Sequence, residues 1–285
     1  MIKSYAMPPF KTRLFTGLLM LGLFCIPEAT AKNPVMSDEL PAGERMVFFK
    51  TDQGFTLNRL LDQKMSDLLY TGLGFALNFG LRAQGQSYIS EWNFVSAEFR
   101  LLSPAHKSTE VQQPGIGFSY KYLRQLSPVG IFDIWAGAQA RVFTSIRLAP
   151  RLGNLSMYAD IIAALRPQAA LSTSFNLFRT WQMDADFSAT ILGYGLRFPE
   201  YGTIYRIGGD GGISQQEHES QMLHPMNFGH FTAGIFFGET FGGENNPNWF
   251  RIGYIWDFYS MSGKHQLNVH KASRQLLPEL YFRIG

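Results

Sequence analysis

The feature that most constrains this chain is a two-residue period of apolar side chains, repeated in segments of about ten residues. Between residues 69 and 83, the odd positions carry mostly leucine and phenylalanine, whereas the even positions are dominated by glycine, alanine and asparagine. The stretches 131–142, 183–191, 230–238 and 250–259 repeat this pattern. Because successive side chains of a β-strand point to opposite faces, the period predicts strands with one apolar face each.

The composition of the second face decides which kind of sheet is expected. Only 16% of the residues are charged, whereas 15% are aromatic and 28 are glycine. A soluble sheet usually exposes a face rich in lysine and glutamate, but here that face is small, polar and sparsely charged. This inversion is typical of a membrane barrel with an apolar outer band and a polar lumen. Since an open sheet edge is not tolerated in hydrocarbon, we predict an all-β, transmembrane, antiparallel up-and-down β-barrel.

The number of strands follows less directly from the pattern. Ten segments alternate: 69–83, 92–102, 115–126, 131–146, 158–178, 182–194, 229–238, 249–259, 264–271 and 276–284. Adding 45–51 and 203–208 gives twelve strands, with ten as the alternative count. Twelve is preferred because it places the longer connections 104–113, 147–157 and 239–248 outside and the short turns in the periplasm, as is usual for such barrels.

Two segments depart from the alternation. In Phe55–Leu69, apolar residues recur at helical spacing, which indicates a short amphipathic helix or an irregular linker. The long, glycine-rich stretch 195–228 is interpreted as a loop that is functional, mobile or folded into the lumen.

The N-terminus has the features of a cleaved export signal covering residues 1–31. Lys3, Lys11 and Arg13 precede an apolar run, and Ala29-Thr30-Ala31 fits the small-residue cleavage pattern. We therefore expect export to the bacterial outer membrane, a periplasmic or linker segment 32–68 containing a candidate first strand, and a barrel over 69–285.

Cleavage would also change the charge and the cysteine content. It removes three basic residues and Glu28, so 22 basic residues face 21 acidic ones and the net charge falls from +3 to +1. This balance argues against a nucleic-acid partner. The single cysteine, Cys25, is lost with the signal, which excludes disulfides and thiolate metal sites in the mature chain.

The export signal, the aromatic-rich alternating strands and the last strand, Leu280 to Ile284, resemble bacterial outer-membrane β-barrels. The segments 193–205 and 249–284 are similar to uncharacterised barrels of the Bacteroidota. The resemblance implies outer-membrane lipid and the barrel-insertion machinery as partners, and no catalytic residue. The chain departs from the class at its end, since Gly285 stands where an aromatic residue is usual.

Charged residues on the polar face are the candidate functional residues, because they would line the lumen. They are Arg82, Glu98, Arg100, Asp133, Arg141, Asp184, Asp186, Arg251, Asp257 and Glu279. In a wide barrel they would line a water path, and in a narrow one they would pair and fill the lumen. The sequence therefore predicts a small pore or a structural barrel without a cofactor.

Two alternatives to this role are weighed from the sequence. An outer-membrane lipid-modifying hydrolase would need a Ser–His pair near the lipid-facing rim, from His230, His265 or His270 with Ser188, Ser260 or Ser262. No local motif joins them, so a non-enzymatic role is favoured. A surface binding protein would use the loops 104–113 and 239–248.

A metal site is not predicted from the polar loop. Asp210, His218 and His224 carry ligand atoms that suit divalent metals, but their spacing matches no known site. The solute, the strand number and the oligomeric state are left open by the sequence.

Overall fold

The structure is a computed structural model that describes most of the chain from Arg45 onward. The described residues are 45–63, 66–105, 110–126, 128–149, 156–177, 179–198, 205–207, 213–215, 219–241, 248–262 and 268–285. The predicted export signal, 1–31, lies outside them.

The described part of the chain is built from β-strands. They are β1 Arg45–Asp62, β2 Ser66–Gly85, β3 Tyr88–Pro104, β4 Val111–Gln125, β5 Asp133–Ala149, β6 Ser156–Leu177, β7 Arg179–Ala189, β8 Leu192–Phe198, β9 Tyr205–Ile207, β10 Ile213–Gln215, β11 Glu219–Leu223, β12 Phe228–Phe241, β13 Asn248–Met261 and β14 Val269–Arg283. Among the described residues, no helix has the length and apolar character needed to cross a membrane.

The predicted antiparallel barrel is confirmed, with twelve strands in one sheet. Ten strands close a ring in the order β1–β7 followed by β12, β13 and β14, and β14 pairs again with β1. The other two, β8 and β11, pair with each other, and β8 also pairs with the first half of β6. Every strand of this closed ring has two hydrogen-bonded neighbours, so the wall of the ring has no unpaired strand edge.

The two outer strands continue strands of the ring. β8 follows β7 after Thr190 and Ile191, and the pairing with β6 shifts by one residue between them. β11 likewise leads into β12 through a turn at His224–Asn227, in which the backbone NH of Phe228 donates to the carbonyl of His224. A local irregularity thus separates β7 from β8, and another separates β11 from β12.

Three predictions about individual segments are corrected. The stretch from Phe55 is not helical: it belongs to β1, which places the ring's first strand N-terminal of residue 69. The segments 264–271 and 276–284 do not form two strands, because residues 269–283 are one strand, β14. In 203–208, the described strand β9 pairs with β10 and not with the barrel.

The two ends of the barrel differ in what they carry. At the terminus end, β1 begins and β14 ends; at the loop end, β1 passes into β2. As expected, 104–113 and 147–157 connect strands at the loop end. By contrast, β12 ends and β13 begins at the terminus end, so 239–248 lies there. The connection from β13 to β14, predicted from the sequence as a short periplasmic turn at 260–263, lies at the loop end. The prediction for those two connections is wrong because it counted 203–208 as a strand of the barrel and divided β14 into two strands.

The wall is apolar outside and polar inside. On the outer face, Phe55 is 72% exposed and Leu73 is 65% exposed, whereas the luminal Arg100 is 1% exposed. Along β1, odd-numbered residues face outward and the even-numbered ones are buried in the interior. The alternation seen in the sequence therefore separates an oily surface from a charged interior, as in membrane barrels.

Candidate functional site

The lumen is the candidate functional site, because it gathers most of the charged side chains of the described strands. The ten residues predicted to line it lie at inward-facing positions of their strands. Arg82, Arg100, Asp184, Arg251 and Glu279 are buried there. Glu98, Arg141, Asp186 and Asp257 line one central cavity, and Asp133 lies at the terminus end of β5.

A cluster near the loop end spans the barrel from wall to wall. Arg147 Nη1 lies 2.9 Å from Asp62 Oδ2, and Arg197 Nη2 lies 2.8 Å from Asp62 Oδ1. Asp160 pairs with both arginines, the contact to Arg197 Nε being 3.3 Å. We call Asp62, Arg147, Asp160 and Arg197 the lumen brace.

The brace joins strands that lie on opposite sides of the ring. Asp62 is on β1 and Asp160 on β6, and these strands are five steps apart in either direction around the ten-stranded ring. All four side chains are 4% exposed or less. Charged atoms from opposite walls meet at hydrogen-bond distance, so this level of the lumen is filled by protein.

An apolar layer surrounds the brace at the loop end. Its members come from strands all around the ring and from β11: Leu60, Tyr70, Leu102, Val111, Ala149, Ile162, Ala164, Leu223, Phe228, Tyr259, Met261 and Val269. Each of them is less than a tenth exposed. Because apolar side chains exclude water, this layer closes the loop end of the interior around the brace.

A second ion network lies toward the terminus end. Lys50 Nζ is 2.8 Å from Glu91, 3.2 Å from Asp52 and 3.7 Å from Glu279. Arg251 pairs with Glu279 and, at 3.1 Å, with Asp184, and Lys121 lies 3.0 Å from Glu91. These groups satisfy one another across β1, β3, β4, β7, β13 and β14.

Aromatic and aliphatic side chains cover this network from the terminus end. One group is Met46, Phe48, Trp249 and Tyr281, and the other is Ile89, Leu123, Trp135 and Ala170. The guanidinium of Arg82 stacks on the rings of Trp249 and Tyr281 at 4.9 and 5.5 Å. All eight members of the two groups are buried, so the lumen narrows at this end as well.

A polar cavity lies between the apolar layer of the loop end and the two buried groups of the terminus end, and we call it the chamber. It has a volume of about 170 Å³, and Lys50, Glu91, Arg141, Arg166 and Asp257 are among its lining residues. A smaller cavity of about 30 Å³, next to His230 and Lys271, shares Arg141 with it. The smaller one has room for a single water molecule, whereas the chamber has room for a small ligand.

The candidate hydrolase residues are separated by the fold. His230 is 3% exposed inside the lumen, where its Nε2 lies 2.7 Å from Asp257 Oδ1, and Ser188 is buried on β7. By contrast, Ser260 Oγ lies 2.9 Å from His270 Nδ1 on the outer face near the loop end. His265 lies outside the described residues, so Ser260 and His270 are the candidate Ser–His pair that the structure brings together.

Among the described residues, no group of three or more His, Cys, Asp or Glu side chains is placed so that it could hold a metal ion. Asp210 and His218 lie outside these residues. His224 is exposed in the turn before β12, and its Nδ1 accepts a hydrogen bond of 3.3 Å from the Met226 backbone NH.

Several luminal charges were not selected from the sequence: Lys50, Asp52, Asp62, Glu91, Lys121, Arg147, Asp160, Arg166, Arg197 and Lys271. Three of these lie on β1, whose alternation was obscured by Leu60, a luminal leucine of the apolar layer. Of the others, Lys121, Arg147, Asp160, Arg166 and Lys271 share the inward parity of their strands, whereas Glu91 and Arg197 lie beyond register shifts that reverse it. The strand period was thus the available signal for those five residues.

No protein-family model matches this chain, and no curated protein matches it. Among solved structures, the chain is similar to the outer membrane protease OmpT from Escherichia coli, with 7% identity and a TM-score of 0.40, over 84% of this chain and 96% of that chain. It is also similar to the translocator domain of the autotransporter NalP from Neisseria meningitidis, with 10% identity and a TM-score of 0.38, over 96% and 97%.

A third similar structure is the Pseudomonas putida toluene transporter TodX, with 7% identity and a TM-score of 0.29, over 90% of this chain and 96% of that chain. At identities this low, no residue role is carried over from these structures to this chain.

Proposed function

We propose that this protein is an integral outer-membrane β-barrel with a closed lumen, which serves as a structural barrel and not as an open pore. The lumen brace is the observation that carries the proposal. Its four side chains join opposite walls within an apolar layer, so solute has no free path at that level. Insertion in lipid is supported by the apolar outer wall, and the outer membrane by the predicted export signal.

Conductance in a planar bilayer tests the closed lumen. We expect the purified protein to insert with negligible steady conductance. The double variant Arg147→Ala/Arg197→Ala removes the long side chains of the brace, so it should give measurable channel events. That variant is the positive control for insertion and detection, and steady conductance of the unmodified protein would overturn the proposal.

Membrane insertion has its own test. Expressed with its export signal, the chain should fractionate with the bacterial outer membrane and require detergent for extraction. Recovery of folded protein in the soluble fraction without detergent would count against the membrane assignment. The likeness to Bacteroidota barrels and the role of the insertion machinery remain proposals.

A second candidate function is hydrolysis of lipid esters at the outer rim, and the contact between Ser260 and His270 favours it. His270 Nδ1 could accept the Ser260 proton as the hydroxyl oxygen attacks the ester carbonyl. The acyl group would be transferred to serine, the alcohol would leave with the proton, and water would release the fatty acid.

Fatty-acid release from phospholipid vesicles tests this second function. Activity that disappears in Ser260→Ala and persists in Ser262→Ala would support it, because Ser262 is the nearby exposed serine. Absence of turnover by the unmodified protein would exclude it. The third role, surface binding through 104–113 and 239–248 together, conflicts with the topology, because these connections lie at opposite ends of the barrel.

A further inference from the structure

Two arginines of the chamber lie close together on its inner wall. Arg141 on β5 and Arg166 on β6 are diagonal neighbours on the inner wall, since Gln139 is the register partner of Arg166 and Ala164 that of Arg141. Within the described residues, neither side chain forms an ion pair with a carboxylate. They differ in this respect from Lys50, Arg147 and Arg251.

The contacts of the two guanidinium groups leave donors unused. Arg166 is 2% exposed, and it donates to Thr232 Oγ1 at 2.6 Å and to Gln139 Oε1 at 3.4 Å, but its Nε has no hydrogen-bond partner among the described residues. Arg141 lies over the Phe143 ring at 4.9 Å. A buried donor without an acceptor is costly, which makes the missing acceptor a structural question.

The charge around these arginines is also unbalanced. The group around these arginines has four basic residues, Arg100, Arg141, Arg166 and Lys271, and two acidic ones, Glu98 and Asp257. The rest of the chamber lining adds three basic residues, Lys50, Lys121 and Arg251, and four acidic ones, Asp52, Glu91, Asp186 and Glu279. Glu98 is already paired with Arg100 and lies 3.7 Å from Lys271 Nζ. Asp257 accepts hydrogen bonds from Thr232 and contacts His230. Unpaired buried charge is unfavourable, so an anion here would stabilise the fold.

The chamber has space and further donors for such an anion. Its volume is about 170 Å³, and its lining beside the two arginines includes Lys121, Gln168 and Ser188. A cavity of about 150 Å³ is large enough to hold benzene, so a phosphate, a sulfate or a short carboxylate fits in size.

We infer that the chamber binds a small oxyanion between Arg141 and Arg166. The planar guanidinium fork matches the paired oxygens of phosphate and carboxylate, which favours an oxyanion over chloride. The chamber lies inside the ring, between the apolar layer of the loop end and the two buried groups of the terminus end, which favours a free anion over the headgroup of a membrane lipid. This site extends the proposed closed barrel, since the anion completes the charge pairing of a filled lumen.

The test is equilibrium urea unfolding of the full barrel in detergent micelles, with inorganic phosphate replacing chloride at constant ionic strength. A ligand that binds only the folded state raises the unfolding midpoint, and it can bind during refolding even when the lumen is closed. We expect the midpoint to rise with phosphate and to saturate. Sulfate and acetate, tested separately, show whether the site prefers tetrahedral or carboxylate oxyanions.

The variants Arg141→Gln and Arg166→Gln should lose this saturable shift, whereas Arg59→Gln, which removes an exposed charge on the outer face of β1, should keep it. Arg166→Lys retains the charge without the fork, so phosphate affinity should fall at least tenfold. In chloride alone, Arg166→Gln should unfold at a midpoint no lower than the unmodified barrel, which also shows that the variant folds.

A phosphate response that does not saturate, or that is equal in Arg141→Gln, Arg166→Gln and the unmodified barrel, would overturn the site. General salting effects would move every variant alike. Conductance is not read in this experiment, so an open pore would refute the closed barrel while leaving the anion site standing.

Discussion

At the residue scale, the interior of this barrel is held by buried charges that depend on one another. Each carboxylate of the lumen brace contacts two arginines, and each arginine contacts two carboxylates. Removing one partner from such an arrangement leaves a buried charge without compensation, and that residual charge is the main source of the energetic penalty. Asp62 is the brace member that reaches from β1 to the opposite wall, so removing its charge tests the contact between the two walls.

We expect Asp62→Asn to lower the free energy of unfolding by about 3–5 kcal/mol, because Asp160 is then the one carboxylate of the brace left to Arg147 and Arg197. Equilibrium urea unfolding in micelles measures the change. The exposed Glu110 provides the control, since Glu110→Gln should change stability by less than about 0.5 kcal/mol. Equal effects of the two variants would show that the brace adds no stability.

The outer wall gives a second prediction at this scale. Phe55 lies midway along β1 with 72% of its surface exposed, and its ring meets that of Phe75 edge-on at 6.2 Å. If the wall faces lipid, Phe55→Arg should cost about 2–4 kcal/mol in lipid vesicles, because a charge at the bilayer midplane is unfavourable.

The matched control for Phe55 is Ile284, which is 61% exposed at the terminus end. Ile284→Arg should cost only about 0–1 kcal/mol, because the penalty falls toward the membrane interfaces. Similar free-energy costs at both positions would argue against a lipid-facing wall, because in water the cost of an exposed arginine does not depend on its position along the barrel axis.

At the scale of single elements, glycine permits close approach of neighbouring strands. A Cβ atom on Gly72 of β2 would collide with the carbonyl oxygen of Leu101 on β3. Gly130, in the connection between β4 and β5, has a φ of 63°, which other residues rarely adopt. These two positions are therefore fixed by backbone geometry, one within a strand and one in a turn.

Gly72→Ala should destabilise the barrel by about 1–3 kcal/mol, because β2 and β3 must separate to admit the methyl group. Gly229 in β12 is the control, since a Cβ there would meet nothing within 4 Å. Gly229→Ala should be neutral or slightly stabilising through the unfolded state. Urea midpoints of the two variants compare them directly, and a cost at Gly229 as large as at Gly72 would contradict the close approach.

At the scale of the whole molecule, closure of the ring depends on the pairing of the first and last strands. β1 and β14 pair from Phe48 with Arg283 to Asp62 with Val269, and the backbone NH of Val47 donates to the carbonyl of Gly285 at 2.7 Å. The C-terminal glycine therefore takes part in the seam through its backbone.

A cysteine pair tests the seam, because Cys25 lies in the predicted export signal and the mature chain would be free of other thiols. Thr51 and Leu280 are register partners on the outer face. Thr51→Cys/Leu280→Cys should form an intramolecular disulfide, detected as a mobility shift in denaturing gels that is lost on reduction.

The control places the second cysteine one strand further away. Phe250 is the register partner of Leu280 on β13, so Thr51 and Phe250 are about 9–10 Å apart, beyond the span of a disulfide. Thr51→Cys/Phe250→Cys should stay unlinked. Absence of the link in the first pair, or its presence in both, would contradict the closed ring.

The β-strand class and the division of the strands into two faces follow from the amino-acid sequence, because the two-residue period is local. The inward parity of residues such as Arg82, Glu98 and Asp184 follows from their own strand neighbours. The period failed where a luminal residue was apolar: Leu60 gave the second half of β1 a helix-like pattern, so the strand predicted at 45–51 ended too early.

Which luminal side chains form ion pairs depends on the tertiary structure. Asp62 and Arg197 are far apart along the chain and sit on strands that are not paired with each other, yet ring closure and strand register bring their side chains to 2.8 Å. The same closure places Arg141 and Arg166 side by side, where neither forms an ion pair with a carboxylate of the described residues. Register and closure are set by long-range backbone pairing, which a local alternation of side chains does not encode.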